Sequence, residues 1–191
     1  MKKVFFFVLF CIIISSYTKL FSQEEVTIEW LRLDGTANFG NYGRVNAIVN
    51  DASGNIYIHG TITQNCDMDP GSGVQMLYPP TCGGYTHSAI IAKYTSAGQY
   101  VWAYSLGCTK AVAIDIDASG NIFVTGRTEN TSDFDPGPGV TNLVNGIYFA
   151  KYNNDGAMQW AYRIPTSNGC CGWGMDIKVD HANNIMGTSI I

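Results

Sequence analysis

Beyond residue 25 the apolar positions come in short runs that alternate with polar ones, and no stretch holds a helical period. Val26, Ile28 and Trp30 alternate with polar neighbours, so one face of that run is buried. Val112, Ile114 and Ile116 share a face in the same way. Four kinds of run recur, and each predicts a β-strand. The first carries tryptophan and covers Val26–Leu33, Tyr100–Leu106 and Met158–Ile164. The second covers Arg44–Val49, Ala111–Ile116 and Met175–Val179. The third covers Asn55–Ile62, Asn121–Thr128 and the segment from Asn184 onward. The fourth covers Ser88–Tyr94 and Ile147–Tyr152. Glycine, asparagine, aspartate and proline separate the runs, so the pattern predicts an all-β chain.

The runs repeat. "DASGNIYIHGTITQNCDMDPGSGV" from Asp51 and "DASGNIFVTGRTENTSDFDPGPGV" from Asp117 are identical at 13 of 24 positions, 66 residues apart. "DHANNIMGTSII" from Asp180 is a weaker third copy, and "IAKYTSAGQYVWAYSLG" from Ile91 answers "FAKYNNDGAMQWAYRIP" from Phe149. In the "DASGN" turns the aspartate can bond its own downstream backbone, and Gly54 and Gly120 supply positive φ ahead of Asn55 and Asn121. A second glycine turn, "TSAGQ" or "NNDGA", leads into the next tryptophan strand, so each tight turn joins an antiparallel pair. Four antiparallel strands per unit, opening with the tryptophan strand and recurring at about 60 to 70 residues, are the mark of a propeller blade.

These motifs resemble the SBBP type of bacterial β-propeller repeat, which is similar to the NHL type in its D-x-x-G-N hairpin. The resemblance covers Val26 to Ile191. It implies a blade fold in exported or surface proteins and brings no catalytic residues with it. A propeller closes with roughly four to eight blades. Two and a half repeats therefore read as part of a longer chain, whose remaining blades would complete the ring. Closure by oligomerisation or a shorter open stack is the alternative.

The N-terminus adds a location. Lys2 and Lys3 precede an unbroken apolar run, Val4–Ile14, which fits a secretory signal and is too short for a bilayer span of about 20 residues. The expected division is a signal peptide over 1–22 and a partial propeller domain over 23–191, secreted or displayed at the cell surface. No later apolar stretch is long enough to cross a membrane, and the net charge of −4 without a basic run argues against nucleic acid.

Five cysteines follow the signal: Cys66, Cys82, Cys108, Cys170 and Cys171. Cys66 and Cys82 bracket the first acidic loop and both are missing from the second copy, which favours a disulfide between them over two separate buried thiols. Cys108 with Cys170 or Cys171 is a further pairing, and the spacings are not those of a structural zinc site.

Asp67 and Asp69, and again Asp133 and Asp135, put two carboxylates one residue apart ahead of Pro-Gly. In extended backbone both would point to one side and could begin a calcium site, which takes six to eight oxygens. Asp-Pro-Gly also reads simply as a turn whose aspartates cap local N–H groups. Trp30, Trp102 and Trp160 hold a fixed place in a repeated strand, which points to packing between blades before sugar stacking. Lys93-Tyr94 and Lys151-Tyr152 read as blade structure in preference to the flanks of a ligand channel. His59 aligns with Thr125, so it is expected to be solvent-facing or half-buried and to have no role shared between copies. No histidine stands with a nucleophile and an acid in a recognisable motif. The expectation is a non-catalytic exported module that binds a protein or glycan partner, without a cofactor unless calcium occupies the acidic loops. A polysaccharide-active propeller enzyme and a spacer scaffold are the alternatives.

Overall fold

A computed structural model of the chain describes residues 43–165, 173–180, 182 and 184–190, and every regular element among them is a β-strand. The apolar N-terminal run, the Trp30 strand, Cys170, Cys171 and His181 lie outside the described residues.

The first sheet starts with β1 (Gly43–Asn50) and β2 (Ile56–Ile62). The connection that follows carries two short ladders, β3 (Cys66–Asp67) with β4 (Met76–Leu77) and β5 (Thr81–Cys82) with β6 (Tyr85–Thr86). Strands β7 (Ser88–Tyr94) and β8 (Tyr100–Ser105) complete the antiparallel order β1-β2-β7-β8. The plan then repeats with β9 (Thr109–Ile116), β10 (Ile122–Thr128), the ladder β11 (Ser132–Asp133) with β12 (Asn142–Leu143), β13 (Gly146–Tyr152) and β14 (Met158–Ile164). This second sheet has the order β9-β10-β13-β14. Strands β15 (Trp173–Val179) and β16 (Ile185–Ile190) pair antiparallel as a third sheet.

The quartets are those expected, shifted by one strand. The sequence pattern placed the tryptophan strand first, yet β8 with Trp102 and β14 with Trp160 each close the sheet that precedes them. The turns explain the shift. Thr95–Gln99 is a tight glycine turn closed by Gly98 N–H to Thr95 O at 2.9 Å, and it pairs β7 with β8 directly. The chain crosses to the next sheet only afterwards, between β8 and β9.

Local chemistry fixes each hairpin. Asp51 Oδ1 accepts the N–H groups of Ser53 and Asn55 at 2.9 Å, and Asn55 Nδ2 donates to its Oδ2 at 2.8 Å. Asp117 holds Ser119 and Asn121 in the same way, and Asp180 holds Ala182 and Asn184. Gly54 and Gly120 sit at φ 78° and 79°, a region that L side chains avoid. The third copy, weak in sequence, forms the same turn.

The first strand of each sheet carries a bulge at the same place: Asn46 in β1, Val112 in β9 and Met175 in β15 are the extra residues. The bulge reverses the alternation. Val112 therefore packs with Ala113 and Phe123 on one face while Ile114 and Ile116 pack on the other, where strict alternation put all three together. The bulge also crowds the neighbouring strand, β2 or β10: a Cβ at Gly60 would come within 2.6 Å of Arg44 O, and one at Gly126 within 2.1 Å of Lys110 O. This close approach is why the repeat keeps glycine there.

The sheets stack face to face. Tyr57, Ala89 and Ile91 of the first sheet share a core with Ile114, Ile122, Val124, Tyr148, Ala150 and Tyr152 of the second. The second sheet's opposite face, with Ala113 and Phe123, packs on Ile177 of β15. Sheet two thus offers to sheet three the positions that sheet one offers to sheet two. Ala111 N–H donates to Thr61 Oγ1 at 3.0 Å across the first interface, and Val179 N–H to Asp115 Oδ2 at 2.9 Å across the second.

Candidate functional site

The repeated acidic loop is a plug in the core. The residue between its two aspartates, Met68 in the first copy and Phe134 in the second, is 1% and 0% exposed. Asp67 Oδ1 accepts Asp69 N–H at 3.1 Å and Gln75 N–H at 2.8 Å, and Asp133 Oδ1 accepts Asp135 N–H at 3.0 Å and Thr141 N–H at 2.8 Å. Asp69 and Asp135 each take the N–H of the glycine two residues on, at 2.8 Å. A Cβ at Gly73 or Gly139 would fall 2.0 or 2.2 Å from the second aspartate's Oδ2, so a side chain there would push that carboxylate aside. Each aspartate's Oδ1 thus accepts local N–H groups, as the turn reading asks of Asp67, Asp69, Asp133 and Asp135. Among the described residues no three His, Cys, Asp or Glu side chains cluster as metal ligands would.

The tryptophans and Lys93 reach from sheet to sheet, and the tyrosines hold each acidic loop to its own sheet. Trp102 stacks on Tyr104 with ring centres 5.1 Å apart and packs in the core between sheets one and two, and Trp160 packs with Phe123 facing Ile177. Tyr94 and Tyr152 donate to the plug carbonyls of Met68 and Phe134. Lys93 Nζ lies 5.2 Å over the Tyr57 ring and donates to Asn154 of the next sheet's turn. Lys151 repeats the ring contact over Phe123 at 5.0 Å.

The disulfide joins Cys82 to Cys108, with Cα atoms 5.5 Å apart, and Cys66 is a free thiol. This overturns the expected Cys66–Cys82 bridge. Cys66 sits on the plug ladder, among the apolar residues packed around Met68, Ile58 and Tyr94, so burial pushes its thiol pKa up. Cys82 instead lies on the β5–β6 hairpin, which reaches the crossing from sheet one to sheet two. The bridge ties that hairpin down where the chain changes sheet.

His59 is fully buried, against the expectation of a solvent-facing or half-buried side chain. Its Nδ1 lies 2.8 Å from Ile90 O, which can only accept, so Nδ1 carries the proton and Nε2 accepts from the Tyr148 hydroxyl at 3.0 Å. Thr125, at the same repeat position, donates to Tyr148 O, so histidine keeps its partner strand and adds a bond to the next sheet. Burial pulls the His59 pKa down to about 4 against the opposing hydrogen bonds to Ile90 and Thr125.

His87 introduces a second constellation. It is almost fully buried, and its Nε2 lies 3.0 Å from Glu129 Oε2 without the alignment of a hydrogen bond. Lys110 Nζ donates to Glu129 Oε1 at 2.8 Å, and Arg127 Nε is 3.9 Å from the same oxygen. Burial lowers the His87 pKa, with Glu129 opposing and Lys110 adding to the effect, so the ring is neutral near pH 7. Burial pushes the Glu129 carboxyl up, but the Lys110 hydrogen bond and the surrounding cations outweigh it and hold the pKa below the ordinary value. In front of this group opens a cleft of about 690 Å³. Arg44 of β1, Thr61 of β2, Thr63, Tyr85 and His87 of the inserted hairpin, and Lys110 of β9 line it. Its size falls within the range of small-ligand sites, about 300–1,000 Å³.

No family model matches the chain, and no curated protein matches it.

None of the residues singled out from the motifs lines the cleft. One signal did point there. The repeat offset is 66 residues across the third strands and 58 across the fourth, so the first copy carries eight extra residues between Ile62 and Ser88. The β5–β6 hairpin occupies that interval, and Tyr85 lies on it. The site stands where the repeat is broken.

Proposed function

We propose that this chain is a run of successive propeller-type blades of the SBBP kind, forming a non-catalytic exported module that binds a protein or glycan partner at the cell surface or outside the cell. The observation that carries the reading is the cleft at the broken point of an otherwise regular stack. Regular blades supply rigidity, and the one insertion supplies a walled recess with exposed polar and aromatic groups. The arrangement of strands supports a blade fan. Strand β9 packs against β1, β2 and β7, and β15 against β9 and β10, so the second-type strands draw together as inner blade strands do. Such a fan would be completed by further blades. The Cys82–Cys108 disulfide is of a kind that persists in oxidising compartments, which agrees with the signal-like N-terminus.

Labelled protein added to envelope and extracellular fractions tests the reading. The expected result is saturable, reversible binding that periodate abolishes for a glycan partner or protease abolishes for a protein one. Progressive depolymerisation of a polysaccharide would favour the enzyme alternative, and no saturable binding to any fraction would reject the module.

A further inference from the structure

Resting on that reading, we infer that the cleft is a saccharide-binding site that selects sugars bearing a carboxylate. Charge comes first. The cations Arg44 and Lys110 line the cleft, no acid is among its lining residues, and Glu129 bonds Lys110 from outside that lining. A positive excess therefore gathers here on a chain whose net charge is −4. His87 adds a polar ring to the lining. Arg44 is exposed at the start of β1, where its guanidinium can meet a ligand carboxylate with two parallel N–H bonds.

The other walls favour a sugar ring over a peptide. Tyr85 is 78% exposed although it lines the cleft, and its flat ring is open to the apolar face of a pyranose. Thr61, Thr63 and Thr86 surround it with hydroxyls, which both donate and accept and so suit the mixed hydroxyls of a saccharide. Thr61 Oγ1 accepts the Ala111 N–H, which fixes that hydroxyl in position. The disulfide and the His87 N–H bond to Pro80 O at 3.3 Å anchor the hairpin that carries Tyr85, and a preformed site loses little to ordering on binding.

Isothermal titration of the full chain with a tri-uronate, a neutral trisaccharide and tri-glutamate tests this. The tri-uronate is expected to bind best. Arg44→Gln should weaken it about tenfold or more, the scale of a lost charge-assisted bond, while leaving any neutral-sugar binding unchanged. Tyr85→Ala should weaken both sugars, and Tyr85→Phe should restore them by keeping the ring. Both side chains are exposed, and unchanged circular dichroism would show the variants folded. Equal binding of the neutral sugar, indifference to Arg44→Gln, or tighter binding of tri-glutamate would each overturn the inference. If the uronate fails to bind while the labelled protein still binds envelope fractions, the inference falls and the module reading stands.

Discussion

The Tyr152 hydroxyl donates to the carbonyl oxygen of Phe134 at 2.9 Å, and Tyr94 makes the same 2.9 Å bond to Met68. The bond ties the acidic loop to the third strand of its own sheet, β13 or β7, and seats the residue between the two aspartates in the core. Removing the tyrosine hydroxyl leaves a buried carbonyl without its side-chain partner. Tyr152→Phe should therefore cost about 1 kcal/mol in urea denaturation, and Phe134→Ala about 3–5 kcal/mol through the cavity it opens.

The aspartates of that loop close a turn with N–H donors. Asp133→Asn with Asp135→Asn should lower the melting temperature by the same amount with and without millimolar calcium. A calcium-dependent rise in the unaltered protein, lost in the double variant, would contradict the turn assignment.

Cys82 and Cys108 are 26 residues apart, so their bond closes a loop of moderate length. The chain-entropy relation gives about 3.5 kcal/mol for it. Cys82→Ser with Cys108→Ser should lose about that much stability, whereas Cys66→Ala should change stability far less. Mass spectrometry of a non-reduced digest checks the pairing, and a Cys66–Cys82 peptide would refute it.

The His59 pKa falls from 6.5 to about 4 on folding, because burial excludes the charged ring. The unfolded chain thus binds the proton more readily between those values, and stability must rise with pH across that window. Its contribution is complete above pH 6.5, is lost progressively as the pH falls toward 4, and amounts to about 3 kcal/mol. His59→Thr, copying the Thr125 position, should flatten this slope and leave the Tyr148 hydroxyl only its longer bond to Lys110 O at 3.4 Å. An unchanged slope between pH 4 and 6.5 would place the titration elsewhere.

Much of the fold was legible because hairpins are local. The aspartate of D-x-x-G-N and its asparagine sit four residues apart, so the turn that joins β1 to β2 can be read from the chain alone. The grouping of strands into sheets depends on where the chain crosses over, and Trp102 looked like the start of a unit when it is the end of one. Alternation failed at Val112 because a bulge shows no composition of its own. The disulfide was missed for a related reason: absence of both Cys66 and Cys82 from the second copy says that they belong to the departure from the repeat, not that they touch. The cleft escaped because Arg44, Tyr85 and Lys110 come from three distant segments that only the stacking of two sheets brings together.

The stacking itself rests on each tryptophan strand closing the sheet before it. Cross-strand nuclear Overhauser effects between the backbones of Ala150 and Ala161, and of Ala92 and Ala103, test this most directly, since each pair is opposite in the ladder. The account predicts both contacts in the folded chain. Contacts from Ala161 to the strand Trp173–Val179 in place of Ala150 would contradict it.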